Sequence, residues 1–350
     1  MKNIVFILPN LNGGGAEKVA VNYLRQLNEK KYKLTIITFK KTSELFPLIP
    51  CSVKLIDLNS INTSRSFFSL LKMLRELSPD VVFTTHSRIA ALLLVIKPFL
   101  PRFRHFARMQ STPSLEAKHG VYGGFVRYVY SLGFRNADVV IAQTESMKDD
   151  GVATFRLKSN RVKVMSNPID KLLIDKSVKE STSPFSDSET VAVASGRLAH
   201  EKGFDLLISA LPVVLEKVPS FVLHIIGSDN GEGRKLKALV DSLGLADHVR
   251  FHGFKSNPYC YYAYCDLFIL SSRWEGFPNT LLENYYLNTP LVSTTCVPIV
   301  AELIEEGVNG YLCAPGDVDM LAEQIIKGCK LKRHKINNHA YEGSMLEDLL

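Results

Sequence analysis

The sequence predicts an α/β protein made of two doubly wound domains in tandem. Three observations carry that prediction. Short apolar runs alternate with amphipathic stretches along most of the chain. The runs are apolar throughout rather than every second residue, which is the pattern of parallel strands covered on both faces. The alternation breaks once, over the polar stretch Asn167–Glu189, and then restarts. At roughly 150 residues per domain, 350 residues also fit two domains, each long enough to bury its own core.

Taken in order, the first run, Asn3–Leu8, opens the chain. It stops at Pro9-Asn10 with no small-residue cleavage site beyond, so it reads as a strand and not as a leader. Further strands are expected at Leu34–Phe39, Val53–Ile56, Val81–Thr84, His105–Met109, Val139–Ala142 and Val162–Met165. Helical periodicity places helices at Ala16–Lys30, Ser64–Leu77, Phe125–Arg135 and Ser146–Phe155. Asn167-Pro168-Ile169-Asp170, followed by a Ser-, Thr-, Asp- and Lys-rich run from Ser177 to Glu189, reads as a linker. Strands then recur at Val191–Ser195, Phe221–Ile226, Val249–Phe251, Leu267–Leu270 and Leu291–Ser293. Helices are expected at Phe204–Lys217, Gly233–Leu243, Pro258–Ala263, Asn279–Leu287 and Asp317–Gly328. In such sheets ligands bind beyond the carboxyl ends of the strands, and with two domains the expected site is the cleft between them.

Composition narrows the function. Apolar residues are 46% and charged residues 22%, which excludes a disordered, collagenous or coiled-coil chain. The longest uncharged apolar run, Ile89–Ile96, is far short of the ~20 residues of a spanning helix. Cys51, Cys260, Cys265, Cys296, Cys313 and Cys329 form no C-x-x-C pair and fit small buried side chains in a reduced, cytoplasmic setting. The net charge of +7 favours an anionic partner. No Arg/aromatic RNA motif, zinc knuckle or basic tail is present, so nucleic acid is not expected. Basic and apolar residues mix in Phe67–Arg75 and in Lys97–Arg104. That mixture suits either an anionic membrane surface or a solvated helix face packed on its own sheet.

Three motifs carry chemistry. Asn12-Gly13-Gly14-Gly15-Ala16-Glu17 follows the first strand, where glycines let a backbone approach a phosphate at a helix start. It departs from G-x-G-x-x-G, since Lys18 holds the third glycine position and the second strand ends in Phe39-Lys40-Lys41, without an acidic residue for a ribose. Nicotinamide binding is therefore not expected. Ser195-Gly196-Arg197, with Glu201-Lys202-Gly203, puts a guanidinium and an ammonium at a strand's carboxyl end. Together they suit a diphosphate, above all one becoming a leaving group. Glu275-Gly276-Phe277-Pro278-Asn279, with Glu283 eight residues after Glu275, sets one carboxylate in a loop and one inside the following helix. Carboxylates accept hydrogen bonds from vicinal hydroxyls of a sugar or ribose. Asp317-Val318-Asp319 has a metal-binding D-x-D form but sits at a helix start, where acidic residues cap.

In order and spacing these motifs resemble the family-4 retaining nucleotide-sugar glycosyltransferases. So do Cys265–Ser272, Phe251-His252-Gly253-Phe254 and Glu305–Tyr311. The resemblance covers nearly the whole chain and is densest from Val191 to Leu321. It implies a GT-B fold: an acceptor-binding Rossmann-like domain over 1–168, a linker over 169–189, a donor-binding Rossmann-like domain over 190–335 and a tail over 336–350. Tyr341–Leu350 would be a stub of the helix that crosses back onto the first domain.

By the same resemblance Arg197 and Lys202 bind the diphosphate, Glu283 the ribose hydroxyls and Glu275 the transferred sugar. Gly196, Phe251, His252 and Gly253 lie by the nucleotide, with Gly276, Phe277, Pro278 and Asn279 around Glu275. Gly14 and Gly15 approach from the first domain. His86 contacts sugar or acceptor, and Arg108 lies on the acceptor side. The diphosphate itself takes the acceptor proton, so neither a protein base, a metal nor another cofactor is implied. The implied reaction moves a hexose or N-acetylhexosamine, with UDP expected as the nucleotide, to a growing lipid-linked surface glycan. The implied place is the cytoplasm, at the inner face of the membrane. The family's glycine-bearing loop after Leu291–Ser293 is here Thr294–Glu302, which lacks glycine. That departure is the main support for the alternative of a degenerate donor-binding subunit. A nucleotide-sugar epimerase on the same fold is the other alternative.

Overall fold

The computed structural model describes residues 1–12, 14–40, 44–60, 66–118, 123–333 and 345–350, with backbone only over 116–118. The chain divides into two compact units, Met1–Pro168 with Glu342–Leu350, and Ile169–Tyr341. The expectations on Gly13, on Ser64 and Arg65, and on 336–344 of the tail lie outside the described residues.

In the first unit the order is β1 (Lys2–Leu8), α1 (Gly15–Gln26), β2 (Tyr32–Thr38), β3 (Lys54–Asp57), α2 (Phe67–Leu77), β4 (Val81–Thr84) and α3 (Ser87–Ile96). Then come β5 (Arg104–Arg108), α4 (Pro113–Lys118), α5 (Gly124–Arg135), β6 (Val139–Ala142), α6 (Glu145–Phe155) and β7 (Val162–Val164). Among the described residues the strands pair in parallel in the order β3-β2-β1-β4-β5-β6-β7. The order reverses between β1 and β4, which is the topological switch point where such sheets open a crevice. Successive side chains of a strand point to opposite faces, so a strand covered on both faces splits its residues between two clusters. Ile4, Phe6 and Leu8 join one, Val5 and Ile7 the other. Leu346 packs into the first of these clusters, and Glu347 accepts hydrogen bonds from Lys31 and Tyr32.

The second unit holds α7 (Lys171–Lys179), β8 (Thr190–Ser195), α8 (Phe204–Lys217), β9 (Phe221–Ile226), α9 (Gly233–Ser242), β10 (Val249–Phe251) and α10 (Tyr259–Tyr264). It continues with β11 (Leu267–Leu270), α11 (Asn279–Tyr286), β12 (Leu291–Thr294), α12 (Ile299–Leu303), β13 (Gly310–Cys313) and α13 (Val318–Gly328). Its parallel order is β10-β9-β8-β11-β12-β13, with the reversal between β8 and β11. Among the described residues no helix is long and apolar enough to cross a membrane.

The elements depart from expectation in several places, α4 and α12 among them, where no helix was assigned. The stretch read as a linker over 169–189 contains α7, capped by Asp170, whose carboxylate accepts from Leu173 N at 2.9 Å. Ile174 of that helix is fully buried in the second unit's core. α1 stops at Gln26, short of Lys30, because Leu27 turns extended. α3 forms over the apolar run Ile89–Ile96, where no element was assigned. β13 lies where no element was assigned.

Candidate active site

In the second unit, the loops that follow β8 and β11 flank the switch point. After β8 the chain runs through Gly196 and Arg197 into a tight turn, His200–Lys202, and enters α8 at Gly203. Gly203 has φ +62°, and a Cβ there would run into Ser271 O, so only glycine lets these two loops touch. That contact delivers Lys202 to the loop after β11. Its ammonium lies 2.5 Å from Glu275 Oε1, which also accepts from Ser272 Oγ at 2.7 Å. Ser271 Oγ donates to Lys202 O, and Thr294 Oγ1 to Ser272 O, fastening the loops after β8, β11 and β12 together. The Arg273 guanidinium makes a two-pronged pair with Asp205 at 2.7 and 2.6 Å and reaches His200 O. That pair holds the Asp205 carboxyl below its usual range, against the opposing effect of burial, which alone would raise it.

Glu283 stands inside α11, 2% exposed, and Glu275 in the preceding loop, 9% exposed. α11 starts at Asn279, with Pro278 at its N-cap. Phe277 packs into the core beside Leu281. Arg197 and Lys202 were expected to act as one cationic pair. Each also has a carboxylate partner, Arg197 with Glu201 at 3.2 Å and Lys202 with Glu275, while the Lys202 side chain lies along Gly196. Arg197 lies at the surface because four residues suffice to bring Glu201 back to it across the turn. At the far side of this edge, His252 stacks on His224, Nε2 to Nδ1 at 2.8 Å, while Gly253 turns with φ +66°. Burial and the neighbouring His252 pull the His224 pKa down to about 4.

Two residues of this edge were not singled out in the sequence. Ser272 holds Glu275. Cys296, in the glycine-free loop after β12, sits near the Lys202–Glu275 pair. Burial, then the Glu275 carboxylate, pushes its thiol pKa up to about 12, so it is not a nucleophile at neutral pH. Ser272 stood only as the end of the Cys265–Ser272 run, with no role assigned, and Cys296 owes its place to contacts across the sheet. Asp317 caps α13, accepting from Met320 N at 2.9 Å.

The first unit gathers a polar cluster at its own switch point. Gly14 caps α1, and a Cβ there would meet the Glu17 carboxylate, which folds back over the helix start. Gly15 is the first helical residue. Glu17 Oε1 lies 3.5 Å from His86 Nε2, at the head of α3. Gln110 Nε2 is 2.8 Å from the same nitrogen, and Thr85 Oγ1 is 2.9 Å from Nδ1. With Gln110 donating to Nε2, the ring proton sits on Nδ1 and is donated to Thr85. Burial, then the guanidiniums of Arg108 and Arg88, pulls the His86 pKa down to about 3. At neutral pH His86 is therefore an uncharged hydrogen-bonding ring. Arg108, 2% exposed at the end of β5, donates to Asn167 Oδ1 at 2.6 Å. Glu17, Gln110 and Asn167 went unmarked in the sequence; only the Glu at the third helical position after a glycine cap hinted at one of them.

Comparison with known proteins identifies the family and the fold. The profile described as Glycosyltransferase Family 4 matches residues 13–171, and that described as Glycosyl transferases group 1 matches residues 154–343. An uncharacterised glycosyltransferase of Methanocaldococcus jannaschii is 32% identical over 243 residues. The match takes in 65% of this chain and 59% of that protein, so the chain spans about six-tenths of that relative's length. The N-acetylgalactosamine-N,N'-diacetylbacillosaminyl-diphospho-undecaprenol 4-alpha-N-acetylgalactosaminyltransferase of Campylobacter jejuni is 27% identical over 325 residues, 89% of this chain and 86% of that one. Among solved structures, Anabaena HepE in complex with UDP and glucose superposes with a TM-score of 0.78 at 22% identity, covering 94% of this chain and 90% of that one. That likeness identifies the fold as GT-B. The group 1 profile spans more than half of the chain and takes in Lys202, Glu275 and Glu283, and the chain belongs to the glycosyl transferases group 1 family.

Proposed function

We propose that the protein is a retaining glycosyltransferase that moves a hexose or N-acetylhexosamine from a UDP-sugar to a lipid-linked glycan. The observation that carries this reading is the Lys202–Glu275–Ser272 cluster at the second unit's switch point, with Glu283 buried in the adjoining helix. In this reading the second unit takes the donor. Lys202 and Arg197 neutralise the diphosphate, and Lys202 stabilises the charge that builds on it as the sugar departs. Glu283 accepts from the ribose hydroxyls. Glu275, its Oε1 fixed by Lys202 and Ser272, accepts from hydroxyls of the sugar. Gly196, Gly253 and the backbone of Gly276 and Phe277 let the donor lie close to the chain.

In the chemical step the acceptor oxygen bonds to the anomeric carbon and the bond from that carbon to the diphosphate breaks. The acceptor proton passes to a diphosphate oxygen on the same face. His86, neutral and bonded through both ring nitrogens, serves this reading as a contact for sugar or acceptor and not as a base. Arg108 would face the acceptor side within the first unit. No metal takes part: the cations and helix ends supply the positive charge. The Campylobacter relative's name, a sugar transferred onto a diphospho-undecaprenol glycan, supports the acceptor class and the N-acetylhexosamine. UDP held by the Anabaena neighbour makes UDP the first nucleotide to test.

The test is nucleotide release from UDP-, GDP- and ADP-sugars in EDTA, with and without a bacterial lipid extract. We expect release from one UDP-sugar, dependent on the lipid and indifferent to EDTA. Binding of UDP-sugars with no release across lipid and sugar acceptors would overturn the transferase reading.

A further inference from the structure

A second basic feature lies in the first unit at the opposite edge of the sheet from the His86 cluster. Asp80, Arg102, Arg104 and Asp138 stand at the amino-terminal ends of β4, β5 and β6, whereas Thr85, His86 and Gln110 follow the carboxyl ends of β4 and β5. Strands of this length separate the two edges by roughly 15 Å. Here Asp80, Lys97, Arg102, Phe103, Arg104 and Asp138 line an open cavity of about 470 Å³.

Its acids are already engaged. Asp138 accepts from Lys97 Nζ at 2.8 Å and from His105 N at 2.7 Å, and Asp80 accepts from Asn3 N at 2.7 Å. Its arginines reach outward: Arg102 and Arg104 are exposed, Arg104 lies over the Phe106 ring and donates to Leu350 O at 3.5 Å, and among the described residues neither forms an ion pair with an Asp or Glu side chain. Arg75, beside them, spends its guanidinium on a carbonyl, Phe99 O, at 3.4 and 3.3 Å.

An aromatic ladder leads away from the rim. Leu100 lines the cavity, and the next residue back, Phe99, is 56% exposed. The Phe99 ring stands edge-on to Phe67 at 6.5 Å, and Phe67 edge-on to Phe68 at 5.1 Å. Phe68 is 78% exposed at the start of α2, with Lys72 one turn on. Exposed aromatic rings in a row are costly in water, and here they stand beside a cavity rimmed by guanidiniums. They match the two layers of a bilayer surface: phosphate for the guanidinium forks, acyl chains for the rings.

We propose that this edge of the first unit docks on a bilayer bearing anionic phospholipid. Arg102 and Arg104 hold headgroup phosphate in the cavity, and Phe68 and Phe99 enter the acyl boundary. The docking does not depend on which sugar is transferred, so it is tested without donor or acceptor.

The experiment is co-sedimentation of the full chain with vesicles of phosphatidylglycerol and phosphatidylcholine in equal parts, or of phosphatidylcholine alone. We expect pelleting with the anionic vesicles only, weakening as salt rises. Arg102→Glu with Arg104→Glu should lower vesicle affinity by about tenfold or more, and Phe68→Ser with Phe99→Ser by several-fold. Arg102→Glu alone, which leaves Arg104 on the Phe106 ring, guards against misfolding and should give an intermediate loss. All variants should keep UDP affinity, because none lies in the proposed donor site. Four results would overturn the proposal: equal binding to neutral vesicles; unchanged binding of both double variants; a dimer abolished by Phe68→Ser and Phe99→Ser without vesicle binding, which marks a second copy as the occupant; or binding of free glycerol phosphate without vesicles, which marks a soluble ligand.

Discussion

Lys202 and Glu275 stand 73 residues apart, yet their side chains make the shortest ion pair at the candidate site. Both residues, with Glu283, were legible in the sequence because each sits in a short motif beside a strand end. Their mutual contact was not legible, because it joins the loop after β8 to the loop after β11 across the sheet. Cys296 and Gln110 were silent for the same reason, since a lone Cys or Gln acquires meaning only from what packs against it. The pair makes a direct prediction. Lys202→Ala should lower turnover about 100-fold, the size of effect seen when a preorganised group that stabilises transition-state charge is lost. Arg197→Ala should do less, because Arg197 is at the surface and already paired with Glu201. Steady-state rates of UDP release from the UDP-sugar that the release test selects check both, and equal losses would mean that the exposed guanidinium closes onto the diphosphate.

At the scale of elements, turns decide what the helices can present. Gly203 ends the turn that carries Lys202 and starts α8, and its left-handed backbone and contact with Ser271 O leave no room for a side chain. Gly203→Ala should therefore cost about 2 kcal/mol or more of folding stability and should loosen the Lys202–Glu275 pair. Urea unfolding checks this, and a loss below about 0.5 kcal/mol would show that the loops slide apart freely. Gly14 teaches a different lesson. Gly14 has ordinary extended dihedrals and makes room for the Glu17 carboxylate, a role that reading the glycine run as an approach to phosphate did not include. Helix α7 was missed because its apolar residues, Leu172-Leu173-Ile174 and Val178, are set in a long polar run that dominates the composition. Its capping residue, Asp170, was visible and should have counted for more.

For the whole molecule, alternation of apolar runs and helices was enough to predict two doubly wound units, because parallel strands buried on both faces leave that signature at every strand. Strand order was beyond reach, and with it the switch points that explain where the motifs gather. Stability carries a further imprint of the cores. Burial above all pulls the ring pKa of His86 and His105 down to about 3 and that of His224 to about 4. In the unfolded chain these rings titrate near ~6.5. Below that pH the unfolded state binds protons that the folded state refuses, so stability is complete above about 6.5 and falls as pH drops toward 4. The slope should approach about 1.4 kcal/mol per pH unit for each ring. Urea unfolding at pH 7 and pH 5 checks it, and equal free energies would mean that the rings are not held neutral. The central claim, that the carboxyl edge of the second unit binds a nucleotide diphosphate, is tested most directly by calorimetric titration of UDP into the wild-type chain and Glu283→Ala. The account predicts binding by the wild type and a loss of about tenfold or more in the variant, with its unfolding midpoint measured alongside to establish that it is folded. Equal affinity in a folded variant, or no binding by the wild type, would contradict it.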